Sequence, residues 1–181
     1  DAYILAWTTT PWTLPSNVAL CVNPDEEYVK VESMGYKFIL AHALCNKVLG
    51  EDYKVLETFK GKDLENIEYE QLMPFLNVDK KAFFVVCDSY VTMSDGTGIV
   101  HLAPAFGQDD YEIGLRYELP LLNPVGEDGC YTDGPWKGRL VVDPELEVEI
   151  IKYLSKEDKL FKKQKMVHDY PHCWRCKTPL V

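Results

Sequence analysis

Residues 96–111 read GTGIVHLAPAFGQDDY. The β-branched residues around His101 predict a strand, and the proline that follows them ends it, because proline cannot donate to a sheet ladder. Gly107 then turns the chain. Two adjacent carboxylates, Asp109 and Asp110, begin a predicted helix, where negative charge suits the helix dipole. This one stretch therefore predicts a fold that contains both strands and helices.

Alternating and β-branched segments make the first half of the chain read as strands. The predicted strands cover residues 3–8, 17–22, 28–32, 37–40, 53–59, 83–87 and 98–102. The third and fourth are joined as a hairpin across Ser33–Tyr36. Three helices are predicted, over residues 41–49, 109–119 and 143–154. The interpretation is a β-rich α+β fold, with a β-barrel-like core and peripheral helices packed outside it.

The composition indicates a single acidic domain over residues 1–181. Hydrophobic residues make up 46% of the chain, enough for one packed core, and the formal net charge is −10. Residues 1–151 hold eleven basic and twenty-six acidic side chains, whereas Lys152–Lys177 hold eight basic and three acidic ones. The acidic body argues against general nucleic-acid binding, so a polynucleotide would be held only by its end. The basic tail is either a solvated helix face or a contact for a phosphate backbone.

The apolar runs are far shorter than the roughly 20 residues of a membrane span, and no signal peptide is recognised. We therefore expect a cytoplasmic protein with no membrane partner. The six cysteines fit a reduced compartment, because Cys21, Cys45, Cys87 and Cys130 stand alone in apolar or turn segments and are predicted to be buried free thiols.

A second unusual stretch, residues 7–15, reads WTTTPWTLP. Its prolines interrupt ladder pairing, which frees the hydroxyls of Thr8, Thr9 and Thr10 and nearby N–H groups to line a cavity. The alternative is a strand edge, with threonine present for its strand propensity and tryptophan for core packing. Composition leaves both interpretations open.

The two adjacent carboxylates, Asp109 and Asp110, can have different roles. Neighbouring side chains on a helix diverge by about 100°, so one can cap the helix while the other points elsewhere. We assign the cap to Asp109 and leave Asp110 to hold an ammonium group by a charge-assisted hydrogen bond. His101 would orient a substrate or a water. Structural roles for these side chains are the alternative. The sequence lacks phosphate-loop, dinucleotide-binding and nucleophile-elbow motifs, so a nucleotide-dependent or acyl-enzyme mechanism has no support.

Three segments in order, residues 7–14, 96–111 and 170–180, resemble the editing domain inserted in the catalytic domain of isoleucyl-tRNA synthetase. The resemblance spans the whole chain. The last segment, YPHCWRCKTPL, is similar to the stretch that leads back into the synthetase body, so residues 166–181 are predicted to be a return segment toward a catalytic domain outside this chain. Thr9-Thr10-Pro11 stands where related leucyl and valyl domains have Thr-Arg-Pro, which favours the isoleucyl branch.

The resemblance implies a post-transfer editing hydrolase that removes valine from mischarged Val-tRNA(Ile). It implies that Asp110 binds the α-ammonium group of the substrate, and that hydroxyls, including those of the terminal ribose, polarise the attacking water. The implied catalytic set is Asp110, Thr8, Thr9, Thr10 and His101, and the implied substrate-binding walls are Trp7 and Phe106.

The implied partners are the 3′ end of aminoacyl-tRNA and the rest of a synthetase chain, with the domain itself monomeric. The chain lacks the two ATP-binding signatures of such enzymes, so it should not activate amino acids. Cys173 and Cys176 would supply half of a structural zinc site in a full-length enzyme, since zinc needs four ligands, and no cofactor is expected in this chain. The competing hypotheses are a valyl or leucyl editing domain, a catalytically silent module that binds the tRNA end, and a zinc-ribbon-like interaction module.

Overall fold

The computed structural model describes residues 1–164, 170, 172–179 and 181. Within them the strands are β1 Tyr3–Ile4, β2 Ala19–Val22, β3 Glu27–Ser33, β4 Tyr36–Ala41, β5 Lys54–Lys60, β6 Phe84–Cys87 and β7 Ile99–Leu102. The α-helices are α1 Cys45–Leu49, α2 Gln108–Arg116 and α3 Pro144–Lys156. Short 3-10 helices cover Pro11–Ser16, His42–Leu44 and Gly61–Leu64.

The strands form two sheets. The first has the order β1-β4-β3-β5, and its antiparallel β3–β4 pair confirms the predicted hairpin. In the second, of order β6-β2-β7, β2 runs parallel to β6 and antiparallel to β7. Every residue of β2 is buried, which is the pattern of a central strand covered on both faces.

The N-terminal segment connects the two sheets. The Leu5 N–H donates to the Ile39 carbonyl of β4 at 3.0 Å, and the Trp7 N–H donates to the Ile99 carbonyl of β7 at 3.2 Å. One buried cluster draws on both sheets and contains Leu20, Val22, Tyr28, Ala41, Val85 and Ile99. The fold is β-rich α+β, as predicted. Hydrogen bonds among the described residues define two sheets and no closed ring, so the barrel-like closure stays a prediction.

Two helices follow their local signals closely. Helix α3 begins after Asp143, whose Oδ1 accepts the N–H of Glu145 at 2.9 Å, and Pro144 is its first residue, as predicted. Helix α1 ends at Leu49, as predicted, before Gly50, whose φ of +78° a glycine adopts without steric cost, but it starts at Cys45, later than predicted, because His42–Leu44 form a 3-10 helix.

Residues 7–15 differ from the strand-edge interpretation. Regular pairing of β1 ends at Ile4, and Trp7 adds only an isolated bridge to Val100. From Pro11 to Ser16 the chain forms a 3-10 helix, because the fixed φ of a proline suits a first helical position. The strand predicted over residues 3–8 is therefore too long, and the strand-edge alternative is wrong.

No helix in the described part of the chain is long and apolar enough to cross a membrane. The predicted return segment, 166–181, lies partly outside the described residues, at 166–169, 171 and 180. Its described part contains an isolated bridge between His172 and Pro179.

Candidate functional site

The Thr-rich stretch folds into a turn that its own hydroxyls stabilise. Thr8 Oγ1 accepts the Thr10 N–H at 3.1 Å, and Thr13 Oγ1 donates to the Thr10 carbonyl at 2.9 Å. The Thr13 N–H donates to the same carbonyl at 3.0 Å, which is the bond of a 3-10 turn. Thr9 is exposed, and within residues 1–164 its hydroxyl makes no hydrogen bond. The turn therefore leaves the Thr9 hydroxyl free to meet a ligand.

His101 connects this turn to β7. Its Nε2 lies 2.9 Å from Thr13 Oγ1, across 88 positions of sequence. The side chain is buried, with 8% of the residue exposed, and its Nδ1 has no hydrogen-bond partner in the described part of the chain. Burial disfavours the charged ring and lowers the pKa of His101 to about 4. The ring is therefore neutral at pH 7.

This buried histidine predicts an acid-sensitive fold. The pKa of His101 falls from its ordinary 6.5 to about 4 on folding, so the unfolded chain binds a proton in this window that the folded chain does not. The contribution of the neutral His101 ring to the free energy of unfolding is therefore fully present above pH 6.5 and is lost as the pH falls toward 4. We expect His101 to account for about 3 kcal/mol of the free energy of unfolding lost between pH 7 and pH 4.

The measurement is urea unfolding of wild type and His101→Gln at both pH values. Other groups contribute to acid unfolding, because the pKa values of Asp88 and Asp143 are held low by their hydrogen bonds. These contributions are common to both proteins, so the difference between the two pH dependences isolates His101. Equal pH dependence in the two proteins would contradict the burial argument.

Of the two carboxylates, Asp110 binds the backbone just after β7, and Asp109 does not cap the helix. The N-cap of α2 is Gly107, and Asp109 is an exposed residue of the first turn, so the assignment of the cap to Asp109 is wrong. The helix also ends earlier than predicted, at Arg116. Asp110 Oδ2 accepts the Ala103 N–H at 2.9 Å, which fixes the helix start to the end of β7. Asp110 therefore has a structural role, which was the alternative to ligand binding in the sequence analysis, and the bond to Ala103 specifies that role.

The Asp110 carboxylate still has capacity for a ligand. It is partly buried, which raises the pKa of Asp110 above its ordinary value, and a carboxylate offers about four acceptor positions. Gly107 makes room for it, since a Cβ there would lie 3.2 Å from Asp110 Cγ and 3.3 Å from Oδ1.

The two aromatic residues predicted as walls make separate contacts, Phe106 in the loop after β7 and Trp7 against the turn before it. The Phe106 ring packs edge-on against Trp12, with ring centroids 5.0 Å apart, and this contact joins the loop after β7 to the Thr-rich turn. The Trp7 ring covers Gly96, where an added Cβ would lie 2.8 Å from Trp7 Cγ. Gly96 has a φ of +69°, so both its conformation and its neighbour require glycine.

The structure thus brings Thr8, Thr10 and His101 together through Thr13, which the sequence analysis did not select. Trp12, which holds Phe106, was missed as well. Pro11 was the signal in the sequence that could have indicated Thr13. A proline at the first helical position predicts a 3-10 turn, and such a turn places residue 13 next to the carbonyl of residue 10. Asp110 lies beyond the loop that follows β7, and no hydrogen bond within residues 1–164 links it to the threonines.

The cysteines fit the predictions in part. All six are free thiols, and Cys21 and Cys45 are buried, but Cys87 and Cys130 are partly exposed, which corrects their predicted burial. Hydrogen bonds, chiefly from Thr178, lower the pKa of the exposed Cys176 to about 7.

In the part of the chain that the structure describes, the C-x-x-C pair Cys173 and Cys176 has no further metal ligands clustered with it. Among the described residues no three His, Cys, Asp or Glu side chains cluster as metal ligands would, whereas structural zinc needs four ligands.

Comparison with known proteins identifies relatives over the whole chain. It is 53% identical over 183 residues to an isoleucine–tRNA ligase of Clostridium novyi, and 55% identical over 184 residues to that of Picrophilus torridus. Each match covers 100% of this chain, which spans 17% and 18% of the length of those relatives. No family model matches the chain.

Solved structures show the same fold at low sequence identity. The CP1 domain of GlLeuRS matches with a TM-score of 0.70 at 15% identity, covering 93% of this chain and 85% of that one. The editing domain of the P. knowlesi cytosolic leucyl-tRNA synthetase matches with a TM-score of 0.65 at 15% identity, covering 86% and 82%. The resemblance to the editing domain of isoleucyl-tRNA synthetase is therefore confirmed, because the chain is similar throughout its length to a segment of isoleucine–tRNA ligases and has the fold of synthetase editing domains.

Proposed function

We propose that the chain is an editing hydrolase that removes valine from mischarged Val-tRNA(Ile) after transfer. One observation carries the proposal: the Thr-rich turn and His101, far apart in sequence, are hydrogen-bonded to each other through Thr13 at 2.9 Å. The names of the relatives and the editing-domain fold support the same activity.

Substrate binding in this proposal depends on Asp110. Its carboxylate accepts the Ala103 N–H through Oδ2 and would accept a second donor, the α-ammonium of the aminoacyl ester. A charge-assisted hydrogen bond of this kind fixes both the position and the orientation of the ester. Trp7 and Phe106 would border the amino-acid side chain.

Hydrolysis needs a positioned water more than a strong nucleophile, because an aminoacyl ester is already labile. Water attacks the ester carbonyl, the negative charge moves to the carbonyl oxygen, and the tRNA hydroxyl leaves with a proton. The Thr10 N–H already donates to Thr8 Oγ1, so it is not available to the oxyanion. The exposed Thr9 hydroxyl is the better candidate to stabilise that charge, and the hydroxyls of the terminal ribose would polarise the water.

Selectivity for valine follows from steric exclusion. A synthetic site cannot strongly reject a substrate that lacks one methylene, a limit of which isoleucyl-tRNA synthetase is itself a standard example, so a second pocket must reject the larger amino acid. In this proposal the buried His101 ring forms the wall that isoleucine would meet.

The proposed context is a longer synthetase. Its partners would be the 3′ end of the tRNA and the rest of that chain, in the cytoplasm, with the domain as a monomer and residues 166–181 leading back toward the catalytic domain. The similarity to isoleucine–tRNA ligases favours this assignment over a valyl or leucyl editing domain. A silent tRNA-binding module and a zinc-ribbon-like module are the remaining rival hypotheses.

The direct experiment incubates the chain separately with Val-tRNA(Ile) and Ile-tRNA(Ile) and measures release of each amino acid. We expect release of valine and retention of isoleucine. Binding of both without release would favour the silent module, and release of neither, without binding, would contradict the proposal.

Replacing Thr8, Thr9 and Thr10 together by alanine should remove valine release while β1 stays paired with β4. The single variants separate a loss of catalysis from a loss of folding stability. Thr9→Ala should slow hydrolysis without loss of stability, because its hydroxyl is exposed and makes no hydrogen bond within residues 1–164. Thr8→Ala should also cost about 1 kcal/mol, since it removes the acceptor of the Thr10 N–H.

The matched control for the threonine variants is Thr58→Ala, an exposed threonine on β5. Its deacylation rate should equal that of wild type. The measurements are single-turnover deacylation and urea unfolding of each variant. Valine release by the triple variant at the wild-type rate would return this stretch to a structural role.

A further inference from the structure

We infer that Thr13 is a positioning residue that fixes the His101 ring in the tautomer protonated on Nε2 and thereby holds the ring as a rigid wall of the selectivity pocket. The claim that His101 is a wall of the selectivity pocket rests on the proposed function. The claim that Thr13 fixes the tautomer of His101 rests on the hydrogen bonds around Thr13.

A hydroxyl carries one proton, and the contacts of Thr13 Oγ1 decide where it lies. The Thr10 carbonyl, 2.9 Å away, can only accept, so this contact requires Thr13 to donate. The contact with His101 Nε2 at 2.9 Å then requires the ring nitrogen to donate. In the opposite tautomer Thr13 would donate to Nε2, and its hydroxyl bond to the carbonyl would be lost. The Nε2–H tautomer therefore makes two hydrogen bonds where the other makes one.

The other ring nitrogen supports a functional role. Nδ1 of His101 is buried and has no hydrogen-bond partner in the described part of the chain, so in the assigned tautomer it is a bare acceptor. An unsatisfied buried polar atom costs free energy, and a histidine present only for packing would not need one. Thr13 offsets part of this cost by holding the opposite nitrogen.

Thr13 is itself held firmly. It is buried, with 5% of the residue exposed, and it belongs to the 3-10 helix that Pro11 begins. Its backbone N–H and its hydroxyl both bind the Thr10 carbonyl. A movement of the Thr-rich turn would therefore move the His101 ring, which couples the wall of the pocket to the hydroxyls proposed to act on the ester.

The test combines a spectroscopic measurement with a selectivity measurement on the 181-residue chain. Long-range proton–nitrogen NMR at pH 7 should show Nε2 of His101 protonated and Nδ1 bare, with the signal assigned by its loss in His101→Gln. Thr13→Val keeps the shape but removes the hydroxyl, so it should mix the tautomers and raise the ratio of isoleucine to valine release by about tenfold, the effect of one hydrogen bond.

Thr13→Ser should restore both the tautomer and the ratio, because it keeps the hydroxyl. Ser16→Ala is the control, since Ser16 lies in the same 3-10 helix and its buried hydroxyl has no partner in the described part of the chain. It should leave the His101 signals unchanged. A purely structural role for Thr13 would lower stability and both release rates without changing their ratio.

A proton on Nδ1 in wild type, or an unchanged tautomer and ratio in Thr13→Val, would overturn the inference. If Thr13→Val fails to fold, the wild-type tautomer and the Thr13→Ser ratio still decide it. If wild type releases neither amino acid, the proposed function fails, and the NMR measurement still decides whether Thr13 fixes the tautomer.

Discussion

Asp110→Asn should lower the rate of valine release from Val-tRNA(Ile) by about 100-fold or more while the domain stays folded. Losing a partly buried charge that pairs with an ammonium costs about 3 kcal/mol or more, which corresponds to that factor. Asparagine keeps an oxygen that can accept the Ala103 N–H, so the bond that fixes α2 to β7 survives. Asp110→Ala should lose the activity equally and about 1–2 kcal/mol of stability as well.

Asp109→Ala is the matched control for the Asp110 variants. Asp109 is the neighbouring carboxylate, it is exposed, and Gly107 rather than Asp109 caps the helix. Its removal should change the deacylation rate and the free energy of unfolding little. The measurements are single-turnover deacylation and urea unfolding of the three variants. Valine release by Asp110→Asn at the wild-type rate would show that the ammonium is held elsewhere.

His101→Ala should admit isoleucine and allow the domain to deacylate correctly charged Ile-tRNA(Ile). The ring is buried and fixed at Nε2, so it cannot move aside for a larger side chain. A closed site rejects a misfit group at a cost of roughly 1–3 kcal/mol, and removing the ring should therefore raise isoleucine release by about 10- to 100-fold. Asp110 would still hold the substrate.

The same substitution leaves a cavity and should cost about 3 kcal/mol of stability, so rates are compared where urea unfolding shows both proteins folded. The control is His42→Ala, because His42 is exposed and pairs with Glu27 at the surface. It should still spare Ile-tRNA(Ile). If His101→Ala spares isoleucine and releases valine normally, the wall lies elsewhere, and Trp7, Phe106 and Trp12 are the next residues to test.

The resemblance to editing domains was readable in the sequence because it rests on the identity and order of residues, as in WTTTP and APAFGQDDY. Local structure was readable wherever one or two residues restrict their own backbone. Asp143-Pro144 begins α3 and Gly50 ends α1, since a capping side chain, a fixed φ and a left-handed glycine act within one turn of chain.

Tertiary structure alone decided which distant groups meet. The parallel pairing of β2 with β6, and of the N-terminal strand with β4, depends on burial of whole faces, which no short stretch specifies. The same holds for the contact of Thr13 with His101 and for the bond from the Ala103 N–H to Asp110. Most buried polar atoms bind the partner that packing places beside them, because leaving such an atom unpaired costs more free energy than a local backbone preference supplies.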